Sequence, residues 1–592
     1  MSKLDSGIRR RELAWLVAMA LGLSACGGGS NVKPAPPPTV PDPPPPPSTP
    51  KDQPPIDAQL TITHANAAHD QGYSGAGITI GVVDSGIMRN HPALAGRVEQ
   101  ELIYIDPDVN NTAIDDVVGH GTWVSQIAAG KAFDKFPGGI APGASLVSAR
   151  IISDEEPTDD GSGLGNEVTA DDAAFFAQTL NPALIDAGVN VMNNSWGGIY
   201  WDTSKAAINQ AFAEAYEPFV LQHGGLVVFA AGNESRSDPS DIAALPSLAP
   251  QLEAGWLVTV AVDSNHPDQL ADYSNACGKA MSYCLAAPGD VIVADKDATS
   301  SGQQDYWVVS GTSLAAPQVT GAAALVWEAY PYFSNDLVRQ ALLGTADDLG
   351  DPGPDEIFGY GELNVGKAVN GPAKFDWGDV TVNFSGESSW NNPISGAGGL
   401  IKQGSGTLIL SEDASYTGLT RVLVGTLSAK SLASSVSIGA QGTLSDTGTI
   451  GGDVTNAGML DVGASDVTIA GDYVQQGNGR LGVSLGSALR VDGSATLGGG
   501  DLYVTGANEG YVVDSHTQVL TADKGLTGQF SGLNTSSSVM LTASLHYGGN
   551  EAWLDVQQVQ VTAVQGMSYT AAERSEERRV GKECRSRWSP YH

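Results

Sequence analysis

Two rhythms of apolar and polar positions divide this chain. From residue 57 to about 370, short and almost wholly apolar runs alternate with longer segments whose apolar positions recur at helical spacing. Residues 78–83, 145–151, 189–194, 225–230 and 257–262 read as buried strands. Residues 120–129, 171–187, 205–222 and 313–330 read as helices. The last is apolar nearly all round, so it belongs in the middle of a domain rather than on its surface. Strands apolar on both faces need cover on both faces, and the strand–helix alternation supplies it. The pattern therefore predicts an α/β domain of three layers, with a parallel sheet between helices. Ligands of such sheets gather beyond the carboxyl ends of the strands. Asp84 and Asn233 both fall just past predicted strands.

After about residue 375 the helical spacing disappears. Short β-type runs recur behind glycine, at 406–410, 425–427, 442–444, 458–462 and 479–483. Their irregular spacing, roughly 16–21 residues, suits the rungs of a parallel β-helix over residues 375–565. A sandwich with Gly-rich turns fits the same composition.

The first residues follow neither rhythm. Arg9, Arg10 and Arg11 precede an apolar stretch, 13–25, too short for a comfortable membrane span, and the stretch ends in Leu23-Ser24-Ala25-Cys26-Gly27. Residues 1–26 resemble a bacterial lipoprotein signal, which implies that Cys26 is lipidated and becomes the new N-terminus. A plain secretory signal with an incidental cysteine is the alternative. Residues 27–56 are rich in Gly and Pro and read as a semi-stiff spacer of roughly 80 Å. The formal charge of -36 argues against a nucleic-acid partner, which needs basic patches. Residues 574–592 invert this balance with six Lys or Arg and a cysteine. They resemble the translation of a sequencing adapter, so Cys584 enters no functional argument and the gene is expected to continue past Glu573.

Four short blocks carry chemistry: 81–86 around Asp84, 119–122 around His120, 230–233 ending in Asn233, and 311–317 around Ser313. Each residue alone has a bland reading: a turn aspartate, a structural histidine, a turn asparagine, a helix N-cap serine. Together they supply a nucleophile, a general base, a carboxylate to orient the base and an amide donor for an oxyanion. A serine alcohol needs a base within hydrogen-bond reach, and imidazole titrates where it can both take and return the proton. Glycines on both sides of His120 let a partner approach closely. A helix starting at Ser313 favours negative charge developing there.

The order Asp, His, Ser along the chain matches neither chymotrypsin nor the α/β-hydrolases. Residues 78–370 resemble the catalytic domain of subtilisin-like serine proteases (subtilases), whose order it is. The resemblance implies Asp84, His120 and Ser313 as catalytic triad and Asn233 as oxyanion donor. It implies that Ser195, Trp196 and Gly197 pair with substrate as an added strand, with Gly161 to Gly163 as a possible opposite wall. Trp123 and Gln318 stand where the family often has histidine. No cofactor is required; a calcium loop has no clear match around 131–139, which leaves calcium possible but unsupported. In an oxidising compartment Cys277 and Cys284 would close a small loop, with two buried thiols as the alternative. Residues 375–565 resemble the passenger stalks of autotransporters, notably at 398–408 and 511–556. That implies a closed outer-membrane barrel further along the gene, and none is encoded here.

The expectation is a surface-tethered serine endopeptidase of a Gram-negative outer membrane, processing protein or peptide substrates, and periplasmic if made without its barrel. An adhesin carrying a protease-like module is the main alternative, with an ester hydrolase as a further one. The adhesin's signature would be a lost triad or oxyanion residue, and none is lost.

Overall fold

The computed structural model describes residues 8–10 by backbone alone, then 53–155, 168–301 and 304–561. The apolar leader with Cys26, the spacer up to residue 52, Gly161 to Gly163 and the basic tail all lie outside the described residues. The backbone of Ile8–Arg10 runs parallel to Tyr306–Ser310. The chain divides after Pro372 into two compact units. Among the described residues no helix is long and apolar enough to cross a membrane.

The first unit is built on an eight-stranded sheet. Its strands are β1 (Thr79–Asp84), β2 (Val98–Ile103), β3 (Ser145–Arg150), β4 (Val191–Asn194), β5 (Leu226–Ala230), β6 (Trp256–Asp263), β7 (His266–Leu270) and β8 (Cys284–Pro288). The order is β2-β3-β1-β4-β5-β6-β8, all parallel, with β7 antiparallel to the end of β6. The inner strands β1, β4 and β5 are buried almost throughout, as their apolar runs demand. The chain leaves β1 towards β2 and β3 on one side, then crosses to β4 on the other. That reversal opens a crevice beyond the carboxyl ends of β1 and β4.

Of the helices α1 (His120–Ala129), α2 (Ala206–Glu217) and α3 (Thr312–Ala329), the first and last carry residues of the site. Helix α3 is buried from Thr312 to Trp327, in keeping with its lack of a polar face. It comes so close to α1 that a Cβ on Gly321 would sit 2.8 Å from the Ala128 carbonyl oxygen and 2.6 Å from Ile140 Cβ. Two predicted helices are not continuous. The 171–187 run starts at Ala173 and holds a π-turn at Phe176–Leu180. The 205–222 run ends in another, Pro218–Gln222. Pro182 lies just beyond the first turn and Pro218 opens the second, and a proline removes one i→i−4 donor. The edge strand β2, the strand β8 and the hairpin of Asp290–Ala294 with Tyr306–Ser310 were not anticipated.

The second unit is a parallel β-helix closed by an antiparallel hairpin of Val539–Tyr547 and Glu551–Val561. The glycine-led runs pair in parallel, rung on rung. Leu408, Leu427, Leu444, Leu460, Leu481 and Leu502 follow one another in register and are fully buried. This interior stack repeats once per turn, which is why the leucine recurs behind glycine in the sequence.

Candidate active site

Asp84 is the last residue of β1 and is fully buried. Its Oδ1 accepts from the Ser85 backbone N–H (2.7 Å) and pairs with His120 Nδ1 (2.8 Å). A carboxylate facing Nδ1 holds the proton there and leaves the Nε2 lone pair free. His120 Nε2 is buried and has no hydrogen-bond partner among the described residues. His120 opens α1 behind Gly119, whose φ of +92° a side chain would resist. Gly121 is required by contact: a Cβ there would lie 2.2 Å from the Gly86 carbonyl oxygen and 3.2 Å from Asp84 Oδ1.

A second buried carboxylate fixes the start of α1. Asp116 Oδ1 accepts from Ser85 Oγ (2.9 Å) and Gly119 N (2.7 Å). Its Oδ2 accepts from Thr122 N (2.9 Å) and Thr122 Oγ1 (2.6 Å). Ser85 Oγ in turn accepts from Gly121 N (2.9 Å). Burial raises the Asp116 pKa, against the hydrogen bonds from Thr122 and Gly119, and nearby Asp84 adds to the rise. For His120, burial works against the cation. The Asp84 carboxylate, by charge and by hydrogen bond, and then Asp116 outweigh it, so the imidazole pKa lies above its ordinary value.

Ser313 lies in the first turn of α3, where backbone N–H groups have no intrahelical partner. Gly311 before it has φ +153°, and a Cβ there would meet Ser313 Oγ at 2.9 Å. Asn233 follows β5. Its Oδ1 accepts from Thr312 N (2.8 Å) and Thr312 Oγ1 (3.0 Å). The backbone N–H is only a donor, so the amide oxygen must face Thr312 and the NH₂ must face away from it. Thr312 Oγ1 also accepts from Gly232 N (3.1 Å) and so links the two segments.

One cleft is lined by His120, Trp123, Asn233, Ser310, Ser313 and Leu314. A second, sharing Asn233 and Ser313 with it, is lined by Ser195, Trp196, Gly197 and Glu234 among others. The structure thus brings Asp84, His120, Asn233, Ser313 and the 195–197 segment to one crevice. Gln318 is not part of it: it is buried and donates to the Pro288 and Leu314 carbonyls. Cys277 and Cys284 form a disulfide. Among the described residues no group of three or more His, Cys, Asp or Glu could hold a metal ion.

Sequence reasoning passed over Ser85, Asp116, Thr122, Thr312 and Asn275. Asp116 had a signal, an acidic residue just ahead of a helix N-terminus, and Thr312 precedes Ser313 directly in sequence. Asn275 had none.

A buried carboxylate–imidazole pair beside a serine at a helix N-terminus, at the switch point of a parallel sheet, is the constellation of a serine hydrolase site. The sequence model of the Subtilase family matches residues 75–361, and that of the passenger-associated transport repeat matches residues 400–429. Subtilisin DY of Bacillus licheniformis is 30% identical over 312 residues, 52% of this chain and 97% of that protein. The chain belongs to the subtilase family. The Neisserial autotransporter lipoprotein NalP of Neisseria meningitidis serogroup B is 30% identical over 551 residues, 77% of this chain and 49% of NalP. An extracellular serine protease of Serratia marcescens is 28% identical over 615 residues, 84% of this chain and 56% of that protein. The chain spans about half the length of these two longer relatives.

Proposed function

We propose that this chain is a serine endopeptidase acting through an acyl-enzyme. The observation that carries the reading is the free Nε2 of a His120 pinned by Asp84, in a cleft it shares with Ser313 and Asn233. Ser313 Oγ attacks the scissile carbonyl carbon while His120 Nε2 takes its proton. Asp84 holds the tautomer and stabilises the imidazolium. The carbonyl oxygen, now negative, receives hydrogen bonds from Asn233 Nδ2 and Ser313 N–H. His120 returns the proton to the leaving amine, and water repeats the sequence to free Ser313. Substrate main chain pairs along Ser195, Trp196 and Gly197, which favours peptides over simple esters.

We further propose that Cys26 carries the lipid that tethers the enzyme at the outer membrane of a Gram-negative bacterium. There it processes surface or secreted proteins. Similarity to a protein named an autotransporter lipoprotein supports this. Ser313→Ala should abolish both peptide hydrolysis and labelling by a fluorophosphonate while leaving thermal unfolding unchanged. Retained hydrolysis in that variant would refute the assignment. Cys26→Ser should release the chain from the membrane fraction, and unchanged retention with no incorporated fatty acid in the parent would refute the anchor.

A further inference from the structure

Asn275 makes a set of contacts that the chemistry above does not use. It is fully buried and sits on the stretch between β7 and the disulfide. Its Oδ1 accepts from Glu234 N (3.1 Å) and Arg236 N (2.9 Å). Its Nδ2 faces the Ala231 carbonyl (3.0 Å), Glu234 Oε2 (2.8 Å) and Tyr200 Oη (3.3 Å). Its own backbone N–H donates to the Gly232 carbonyl (2.9 Å). Residues 231, 232, 234 and 236 are therefore all tied to this one residue, and Asn233 is the residue they flank. The backbone N–H groups fix which way the amide points, because they can only donate.

Gly232 gives an independent sign of how tight the clamp is. Its φ is +114°, and a Cβ there would lie 2.3 Å from Asn275 Nδ2. The loop bearing Asn233 is wrapped on the Asn275 amide so closely that no side chain fits between them.

We infer that Asn275 is the positioning residue of the oxyanion loop: it holds Asn233 where the developing negative charge will form and braces Glu234 at the wall of the adjoining cleft. This rests on the serine endopeptidase reading. Asn275 does not line either cleft, so it acts through Asn233 and Glu234. Ground-state substrate binding, in that reading, leans on main-chain pairing with the 195–197 segment, so freeing the loop should slow bond formation more than it weakens binding.

The test uses the full chain and a fluorophosphonate probe, whose phosphoryl oxygen needs the same donors and which requires no knowledge of cleavage preference. The maximal labelling rate and the half-saturating probe concentration are measured for Asn275→Ala, Asn233→Ala and the pair. Asn275→Ala should slow labelling about 10–100-fold with half-saturation moved less than about threefold. Asn233→Ala should cost about 10²–10³-fold. In the double variant, Asn275→Ala should add less than about threefold, because the group it positions is gone. A residue that merely stabilised the fold would keep its full cost in both backgrounds. Should Asn275→Ala fail to fold, Asn275→Asp keeps the shape and both accepted N–H bonds but turns an acceptor towards the Ala231 carbonyl and Glu234. It should show the same loss. Wild-type labelling in whichever variant folds, or losses that multiply in the pair, overturns the inference alone. Unchanged labelling in Asn233→Ala, or label taken by Ser313→Ala, overturns the oxyanion reading and this inference with it.

Discussion

Replacing Asp116 by Asn probes how far a carboxylate remote from substrate governs the base. Asp116 is fully buried and accepts four hydrogen bonds, two of them from the backbone N–H groups of Gly119 and Thr122. Those two cannot turn. One lies on each carboxylate oxygen, so in either orientation the amide NH₂ of Asp116→Asn faces one of them. A buried donor left unpaired costs about 1–3 kcal/mol, and weakening the remaining bonds to a charged acceptor adds about 1–2 kcal/mol. The melting temperature should fall by about 10 °C. The second effect is electrostatic. Asp116 is one of the charges that raise the His120 pKa, and removing a negative charge disfavours the imidazolium. In the proposed mechanism the reactive form is the neutral imidazole, so the acid limb of the pH–rate profile should lie above the ordinary histidine value in the parent and move to lower pH in the variant. Rate of fluorophosphonate labelling across the neutral range, alongside thermal unfolding, reads both. A variant that lost activity only through disorder would lower the plateau without moving the limb. A limb that stays put or moves to higher pH would refute the electrostatic argument, and unchanged unfolding would refute the hydrogen-bond argument.

Other expectations follow from single contacts. Replacing both Cys277 and Cys284 by Ser opens a crosslink with a sequence separation of 7 and should cost about 2–3 kcal/mol on denaturant unfolding. Gly321→Ala forces a Cβ against the Ala128 carbonyl and should destabilise by about 1–3 kcal/mol without altering the pH profile of labelling. Burial, with Asp347 adding, pushes the Glu362 carboxyl up to about 8, so the folded protein favours its protonated form. That contribution is fully present below the ordinary glutamate value and is lost as pH rises to about 8. Glu362→Gln should therefore gain stability relative to the parent across that window, by about 2–4 kcal/mol at its upper end. A constant difference in unfolding free energy would show that Glu362 titrates normally.

The fold was legible where burial dictated composition. The inner strands β1, β4 and β5 are apolar on both faces, so their runs stood out, and α3 stood out for lacking a polar face. The edge strand β2 has the sequence Val-Glu-Gln-Glu-Leu-Ile and is largely exposed, so it carried no apolar run to read. Strand β8 begins within a Cys, Ala and Pro context whose β character comes from pairing with β6 rather than from propensity. The π-turns were invisible to helical spacing because they disturb the hydrogen-bond pattern more than the apolar stripe. In the second unit the glycine-led leucines announced the rungs, since one buried leucine per turn is what a parallel β-helix interior repeats.

The site divides along a different line. Asp84, His120, Asn233 and Ser313 could be read as candidates because the chemistry proposed for them needs particular residue types, and they stand in glycine-rich surroundings. Gly121 shows the physical reason: the Asp84–His120 pair closes to 2.8 Å only where no Cβ intervenes between α1 and the Gly86 turn. The residues that hold these groups have no such mark. The side chains of Thr312, Asp116 and Asn275 all accept from backbone N–H groups, and a backbone partner leaves no trace in composition or spacing. Asn275 lies 42 positions beyond Asn233 (275 − 233), with β6 and β7 between them. Only the folded chain brings its amide to the loop. If Asn233 is the oxyanion donor as proposed, its block names it but a distant asparagine holds its loop, so a variant that keeps all four blocks should still lose rate when that asparagine changes.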